Sequence, residues 1–380
     1  MSNASNLSTL ANVLDDGTSG QVLTSQGSGV LTFADAASGV TTYADTDSLP
    51  ESGNSAGDLA YVTANTSLYH HNGTDWYGVE LSSFASLVWY GDRALITGGK
   101  TGTASGEISY FDITTTGNAT DFGDTVADVE TAASVSNGTR GVTADGSISY
   151  TGNIEYVTIA NTGNASDFGD LLQGLYYLSG ASNGTLGLFL GGLISGGSYS
   201  GNQYITIATA GNATSQSNLH TPVFRTQAVS NGTKAFIGGG KSAASTYENT
   251  IQQITIDTSS SGTDFGDLTA ATGRIAAVSD LTRAVFGGGQ VSGSGVNTMS
   301  YITMDTASNS TDFGDLTDSV FRLSGTSNAT RGVFCGGFPS GNTHTDVIAY
   351  ITIATAGNAA DFGNLVTSTD GPSATSGAAS

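Results

Sequence analysis

The sequence contains little positive charge, a single cysteine and only four prolines in 380 residues. Lysine and arginine total 10 against 32 acidic residues, which gives a formal net charge of -22. Proteins that bind DNA or RNA gain affinity from basic side chains that neutralise phosphates. The composition therefore argues against a nucleic-acid partner, and equally against docking on an anionic membrane surface.

Long apolar runs and a targeting segment are also missing. No run approaches the roughly 18 apolar residues that indicate a membrane-spanning helix. The N-terminus lacks the basic and apolar stretches of a signal peptide, so we expect a protein that is made in a cytoplasm and does not insert into a membrane. The lone Cys335 excludes a disulfide framework within the chain, and we expect a small buried residue at the end of a strand.

Glycine is abundant, with 54 residues, and Thr, Ser, Asn, Val, Ile and Tyr dominate the remainder. β-branched and aromatic residues favour strands, while Gly and Asn favour tight turns. The composition therefore predicts an all-β protein built from many short strands.

Two short segments recur six times along the chain. The first reads YFDITTTGNATDFGD at Tyr110, and its other copies begin at Tyr156, Tyr204, Gln253, Tyr301 and Tyr350. The second is a short apolar stretch, and its copies begin at Arg93, Arg140, Leu186, Lys234, Arg283 and Arg331. The distance from the Tyr position to the Asp position of DFGD is 11 residues in every copy, and 19 residues separate that position from the next apolar stretch. The constant spacing predicts six units, each a four-stranded antiparallel sheet.

Each unit carries features of the kelch repeat. A pair of glycines follows the apolar strand in five units: Gly98–Gly99, Gly191–Gly192, Gly239–Gly240, Gly288–Gly289 and Gly336–Gly337. An aromatic residue placed at the start of the third strand follows in five units: Tyr110, Tyr156, Tyr204, Tyr301 and Tyr350. The chain resembles kelch-like β-propellers over residues 83–365. It departs from them at residues 143–146, which replace a glycine pair, and in the Phe of DFGD, which stands in place of the usual Trp.

The resemblance implies a six-bladed β-propeller. Its first inner strand is expected near Phe84 and its last outer strand near Leu365, so that the first and last blades share no strand. Residues 366–380 are rich in Ser, Thr, Gly and Ala, and we expect them to form a flexible tail.

Five basic residues at the start of the second strand accompany five acidic residues at the start of the fourth. We predict one structural ion pair per blade, across the edge of the sheet: Arg93–Asp121, Arg140–Asp167, Lys234–Asp264, Arg283–Asp312 and Arg331–Asp361. An exposed pair of this kind contributes at most about 1 kcal/mol.

The remaining basic residues all map to one face of the predicted propeller, which also carries the connections of variable length. Arg225, Arg274 and Arg322 share a register at the start of the first strand, and Lys100 and Lys241 follow glycine pairs. Aromatic faces and arginine forks suit sugar rings and acidic saccharides. We therefore predict a glycan site formed by Arg225, Arg274, Arg322, Tyr199, Tyr247, Lys100 and Lys241. The alternative is that the arginines tie one blade to the next, as arginines at this register do in kelch-like repeats.

Catalytic and metal-binding motifs are not found in the sequence. Four histidines without ligand-like spacing, among them His344, indicate no metal site and no cofactor. Glu248 and Asp346 are the candidate carboxylate pair for a polysaccharide-degrading enzyme, but nothing in the sequence fixes their separation. We expect a protein that is not an enzyme.

Residues 1–40 and 41–82 precede the repeats as an attachment segment and a small β module. Their matching stretches are Gly20–Phe33, with the element GQVLTSQGSGVLTF, and Ala60–Tyr77, with AYVT followed by LYHHNGTDWY. Both stretches resemble segments near the start of tail-fibre and other virion proteins of tailed bacteriophages. The resemblance implies a virion structural protein that attaches to other tail proteins through its N-terminus and forms a homotrimer. Its propeller is expected either to recognise a host-surface glycan or to decorate the particle. A secreted or surface adhesin of the lectin type and a polysaccharide-degrading enzyme are the alternatives.

Overall fold

The computed structural model describes residues 21–25, 31–35, 41–55, 57–63, 67–78, 89–144, 146, 149–195, 197–242, 246–341 and 343–378. The chain forms two compact units, Met1–Ser86 and Leu87–Ser380. The described residues are all-β and contain no α-helix, as the composition predicts. None of the helical turns in this part of the chain is long and apolar enough to cross a membrane.

The first unit contains a hairpin and a four-stranded sheet. Its strands are β1 (Gln21–Ser25), β2 (Leu31–Asp35), β3 (Thr41–Tyr43), β4 (Leu59–Val62), β5 (Ser67–His71) and β6 (Trp76–Gly78), with a 3₁₀ helix at Thr46–Ser48. Strands β1 and β2 pair antiparallel, and β3 to β6 form the sheet, in which β3 and β4 run parallel. The Trp76 ring packs edge-on against buried His71 at 5.2 Å, and its Nε1 donates to the Pro50 carbonyl. These contacts give the small sheet its core.

The described residues of the second unit form thirty strands. They are β7 (Arg93–Thr97), β8 (Ser105–Asp112), β9 (Thr120–Val129), β10 (Ala133–Ser136), β11 (Arg140–Ala144), β12 (Asn153–Thr158), β13 (Ser166–Asp170), β14 (Ser179–Ser182), β15 (Leu186–Leu190), β16 (Leu193–Ile194), β17 (Gly197–Ser198), β18 (Gly201–Thr206), β19 (Thr214–Asn218), β20 (Gln227–Ser230), β21 (Lys234–Gly238), β22 (Thr250–Thr255), β23 (Thr263–Asp267), β24 (Ala276–Ser279), β25 (Arg283–Gly287), β26 (Gln290–Val291), β27 (Ser294–Gly295), β28 (Thr298–Thr303), β29 (Thr311–Asp315), β30 (Val320–Phe321), β31 (Ser324–Ser327), β32 (Arg331–Cys335), β33 (Phe338–Pro339), β34 (Thr345–Thr352), β35 (Ala360–Thr369) and β36 (Ser373–Gly377).

Of these strands, 24 build six four-stranded antiparallel sheets, numbered here in chain order, and the other six form the two-stranded sheets β16-β17, β26-β27 and β30-β33. Sheet 1 is β36-β7-β8-β9, sheet 2 is β10 to β13, sheet 3 is β14-β15-β18-β19, sheet 4 is β20 to β23, sheet 5 is β24-β25-β28-β29 and sheet 6 is β31-β32-β34-β35. The first strand of each sheet contacts the first strand of the next, and the series returns from β31 through β36 to β10. The aromatic of the repeat lies inside the third strand and not at its start, because that strand begins several residues earlier, as at Thr298 before Tyr301.

The predicted framing of sheet 1 is wrong. Its first strand is β36, which pairs antiparallel with β7 from Ser373↔Thr97 to Gly377↔Arg93. The segment after Val366 is therefore not a flexible tail up to residue 378: it completes a sheet, and Ser373, Thr375 and Ser376 are buried. Phe84, the predicted site of this strand, lies outside the described residues.

The core lies between neighbouring sheets. Second strands such as β25 are buried on both faces after their first residue, because each sheet is covered by the sheets before and after it. Phe236 and Phe265 of sheet 4 pack with Phe286 of sheet 5, and Ile96 of sheet 1 packs with Cys335 of sheet 6. Cys335 is fully buried at the end of β32, as predicted, and burial raises the pKa of its thiol.

The repeated TGNA and DFGD segments join consecutive sheets. Asn164 Oδ1, in the turn before β13, accepts a hydrogen bond from the Asp124 backbone N–H in β9 of the preceding sheet. Gly163 N–H donates to the Phe122 carbonyl of the same strand. Gly123, the glycine of DFGD, has φ of 145°, and a Cβ there would lie 2.5 Å from the Gly163 carbonyl oxygen. The motif therefore requires glycine because the next turn lies directly against it.

The five predicted ion pairs are not formed. Strand pairing puts Arg283 on the same face as Val285 and Tyr301, whereas Asp312 pairs with Ser300 and projects from the opposite face. The basic groups instead stack over aromatic rings, Arg93 on Tyr110, Arg140 on Tyr156, Arg283 on Tyr301 and Arg331 on Tyr350, and Lys234 donates to Gln253. Their acidic counterparts Asp121, Asp167, Asp264, Asp312 and Asp361 are exposed.

The arginine that begins the second strand of a sheet links that sheet to the next one by donating to main-chain carbonyls. Arg283 Nη1 donates to the Ile353 carbonyl of sheet 6 at 3.0 Å, and Arg140 Nη1 donates to the Ile207 carbonyl of sheet 3 at the same distance. Arg93 and Arg331 make the equivalent bonds to the sheets that follow them. A charged donor on a neutral acceptor thus replaces the predicted salt bridge.

Candidate functional site

Six residues with left-handed backbone conformation form a ring where the chain enters the first strands. This six-residue ring consists of Thr131, Tyr177, Arg225, Arg274, Arg322 and Gly371, with φ between 58° and 63°. Five of its six members carry side chains in a conformation that costs such residues roughly 1 kcal/mol or more. Strain repeated at one place in every sheet marks the ring as a candidate functional site.

Backbone hydrogen bonds run around the ring from one member to the next. Arg225 N–H donates to the Tyr177 carbonyl, Arg274 N–H to that of Arg225, and Arg322 N–H to that of Arg274. Gly371 N–H donates to the Arg322 carbonyl, and Thr131 N–H donates to the Gly371 carbonyl. The N···O distances of these bonds lie between 2.6 and 3.2 Å. The left-handed turns thus direct five of the six N–H groups at the carbonyl of the preceding ring member.

The glycine pairs of the repeat position this ring. In sheet 4, Gly240 N–H donates to the Thr272 carbonyl, two residues before Arg274. The equivalent second glycines Gly99, Gly192, Gly289 and Gly337 donate to Val129, Val223, Val320 and Thr369, each two residues before a ring member. A Cβ at Gly239 would lie 2.3 Å from the Thr272 carbonyl oxygen, so the close approach requires glycine.

A cavity of about 80 Å³ lies on the inner side of the ring. All ring members line it, together with residues of the first strands such as Ser134, Ser179 and Gln227. Gln227 reaches across sheet 5: its Nε2 donates to the Gly325 carbonyl at 2.7 Å, and its Oε1 accepts from the Ala277 N–H. The amide therefore fixes the floor of this cavity.

A second cavity of about 80 Å³ shares Ser134, Gly180, Gln227 and Ala374 with the first. Trp89 and Tyr90 line it at the side away from the six-residue ring, with ring centroids 5.3 Å apart. Burial and the charge of Asp280 raise the pKa of Tyr90. The small Ser, Ala and Gly side chains of the first strands thus leave a central space between two differently lined ends.

One half of the six-residue ring is a network of opposite charges. Arg322 Nη1 lies 2.9 Å from Oδ1 of buried Asp370, and Nη2 lies 3.9 Å from Glu130. His344 Nδ1 approaches the other Asp370 oxygen at 3.0 Å, and Lys100 Nζ lies 3.7 Å from Glu130. Burial raises the pKa of Asp370, although Arg322 and His344 oppose that effect.

The other half of the ring carries arginines stacked on aromatic rings. The Arg225 guanidinium lies 4.5 Å from the Tyr177 ring centre, and that of Arg274 lies 5.3 Å from Phe321. Burial alone would raise the pKa of Tyr177, but Arg322, Arg225 and Arg274 lower it overall, together with a hydrogen bond from Tyr176. Tyr177 therefore lies at the centre of the positive charge.

The structure brings most of the predicted glycan-site residues to this region. Arg225, Arg274 and Arg322 line one cavity, as their shared register predicts. Lys241 lies 4.4 Å from the Tyr247 ring centre, and Tyr247 donates to Gln290. Lys100 belongs to the acidic half through Glu130, whereas Tyr199 packs against the core between sheets 2 and 3 and does not line the cavity.

The candidate carboxylate pair is divided between two sheets. Glu248 precedes β22 of sheet 4 and accepts a hydrogen bond from Ser242, whereas Asp346 lies in β34 of sheet 6. Within the described part of the chain, no group of three or more His, Cys, Asp or Glu side chains could hold a metal ion.

Sequence reasoning placed Tyr177 among the aromatic residues of this face but missed Glu130, Asp370 and Gly371 as parts of the site. A signal for them exists, because each ring member follows the Asp position of the fourth strand by 10 residues, as Tyr177 follows Asp167 and Gly371 follows Asp361. The constant spacing identifies the ring even where its residue type changes.

Comparisons with protein-family models and with curated proteins find no match for this chain.

Proposed function

We propose that this protein is a virion structural protein of a tailed bacteriophage, of the tail-fibre type, whose second unit is a six-bladed kelch-like β-propeller that recognises a host-surface glycan. Six four-stranded sheets whose first strands contact in a cycle support the propeller. The N-terminal stretches Gly20–Phe33 and Ala60–Tyr77 support the virion assignment through their resemblance to fibre segments. By the same resemblance, the N-terminal region attaches to other tail proteins and forms a trimer.

The observation that carries the recognition role is the six-residue ring. It gathers three arginines and Tyr177 around one cavity in a chain whose net charge is -22. Positive charge is thus concentrated where the backbone is strained and a cavity opens. Arginine and aromatic faces together suit acidic saccharides, and the proposed role is binding without catalysis.

Two experiments test this function. Purified protein applied to an array of host-type polysaccharides is expected to bind acidic glycans, and the triple substitution Arg225→Ala, Arg274→Ala and Arg322→Ala is expected to abolish binding. Binding that survives the triple substitution contradicts a site at the ring. Antibody labelling in electron microscopy is expected to decorate phage particles, and labelling of bacterial surfaces alone would favour the adhesin alternative.

A further inference from the structure

The cations at the six-residue ring are not equivalent. Arg322 is neutralised by Asp370 and Glu130, and Lys100 by Glu130. Arg225 and Arg274 have no acidic partner among the described residues, and neither guanidinium donates a hydrogen bond to any of them. Their Nε atoms are buried without a hydrogen-bond partner. Buried charged donors left in this state cost free energy, so an acceptor from outside the chain would stabilise them.

The two unpaired arginines also repel each other. Burial lowers the pKa of the Arg274 guanidinium, and the neighbouring Arg225 charge lowers it further. Burial also lowers the pKa of Lys241, and the charges of Arg225 and Arg274 lower it further. Three positive charges therefore face one another without a counter-charge, in a chain with more than three times as many acidic as basic residues.

The cavity limits the size of the group that can enter. Its volume of about 80 Å³ accepts several atoms, since one water needs roughly 10–15 Å³ on this measure. Ser179 Oγ in the wall donates to the Thr226 carbonyl, and both ends of the Gln227 amide are bonded. The wall donors that are buried without a hydrogen-bond partner are the Nε atoms of its three arginines and the hydroxyls of Thr131 and Ser324. Among the described residues, Arg322 has acidic partners, whereas Arg225 and Arg274 have none.

We propose that Arg225 and Arg274 bind one oxyanion, the carboxylate or sulfate group of an acidic saccharide, while Arg322 is reserved for Asp370 and does not contact the ligand. This inference rests on the proposed recognition of glycans and names the group that is recognised. The acidic group enters the cavity, and its sugar ring stays outside, beside Lys241 and Tyr247. Guanidinium forks bind both kinds of oxyanion through paired N–H groups.

The test uses three probes that share one sugar ring: glucuronic acid, glucose 6-sulfate and glucose. Titration calorimetry with the full chain is expected to detect at least one acidic probe and not glucose, and the probe that binds identifies carboxylate or sulfate. Arg225→Gly and Arg274→Gly are each expected to weaken binding at least tenfold. Glycine suits the left-handed backbone, as it already does at Gly371, so both variants are expected to fold.

Lys234→Gln is the matched control, because it also removes one positive charge from the second unit, at a residue that does not line the cavity and whose ammonium donates to Gln253. It is expected to change the affinity less than twofold. Equal binding by wild type and the Arg225→Gly, Arg274→Gly double variant, or equal binding of glucose and the acids, overturns the inference. If host polysaccharide binds but neither acidic probe competes with it, the oxyanion site is refuted and the glycan-binding function stands. If no glycan binds at all, both fail.

Discussion

At equivalent places in different sheets, different side chains form the same hydrogen bond to the neighbouring sheet. Sheet 3 has Leu186 in place of the linking arginine and Gln216 in place of the Phe of DFGD. Gln216 Nε2 donates to the Ile256 carbonyl of sheet 4 at 2.6 Å, the bond that arginine makes elsewhere. Sheet 3 therefore keeps the hydrogen bond to the next sheet although its copy of the DFGD motif has changed. The sequence alone shows only that the arginine and the phenylalanine are missing.

A second exchange of this kind involves a buried acid. Gln203 and Gln252 accept hydrogen bonds from the main chain of the preceding sheet, at Leu172 and Thr221. At the equivalent position of sheet 2, Glu155 Oε2 accepts from the Val126 N–H at 2.7 Å. Burial raises the pKa of Glu155 to about 7, although the N–H groups of Val126 and Ala127 oppose the shift.

We predict that Glu155→Gln stabilises the protein in a pH-dependent way. The folded-state pKa lies above the usual 4.5, so wild-type stability falls as pH rises from about 4.5 to about 7. The variant is expected to gain on the order of 3 kcal/mol at pH 8 and less than about 1 kcal/mol at pH 5. Urea denaturation at both pH values measures the difference. Asp121→Asn, at an exposed carboxylate, is the control, and an equal gain for Glu155→Gln at both pH values contradicts the prediction.

At the scale of strands and turns, the repeated spacings predict the positions of strands, whereas the matching of basic with acidic residues did not predict ion pairs correctly. The spacings of 11 and 19 residues locate the second, third and fourth strands of the sheets, because a repeated length implies a repeated hydrogen-bond register. The ion pairs failed because adjacent residues of a strand face opposite sides, so that Asp312 and Arg283 are separated by the sheet itself. The first strand of sheet 1 was missed although Ser373 follows Asp361 by 12 residues, as Ser324 follows Asp312.

The contact between DFGD and the turn of the next sheet is expected to be among the least tolerant of substitution in the fold. Gly314 has φ of 138°, and a Cβ there would lie 2.5 Å from the Gly357 carbonyl oxygen in sheet 6. Gly314→Ala is expected to destabilise the protein on the order of 3 kcal/mol through backbone strain and overlap. Gly357→Ala, across the same contact, meets no atom within 4 Å and should be nearly neutral. Equal effects of the two substitutions in chemical denaturation would refute this account.

At the scale of the whole second unit, closure depends on a strand from the far end of the chain. Strand β36 lies between β31 and β10 and pairs with β7, so its loss would expose three other strands. Ser376 Oγ donates to the Ser327 carbonyl, and Ser373 Oγ lies 2.8 Å from Ser134 Oγ. These polar bonds connect sheet 1 to both of its neighbours.

We predict that deletion of residues 373–380 abolishes cooperative unfolding of this unit, whereas deletion of residues 379–380 leaves it intact. Circular dichroism during heating and amide hydrogen exchange at β7, β10 and β31 measure the effect. A synthetic peptide of residues 371–378 is expected to restore the transition, and a scrambled peptide is not. A truncated chain that melts like the full chain would show that β36 is dispensable.

The same strand has a consequence for biosynthesis. Ser373 and Thr97 meet across 276 residues, so β7 leaves the ribosome long before its partner has been translated. During that interval β7 is an open edge, which pairs readily with any suitable strand. We expect that two nascent chains on one messenger can exchange β36, which would give each β7 its partner strand in a swapped dimer. The spacing of ribosomes on the messenger is then expected to influence how often the unit closes on its own β36.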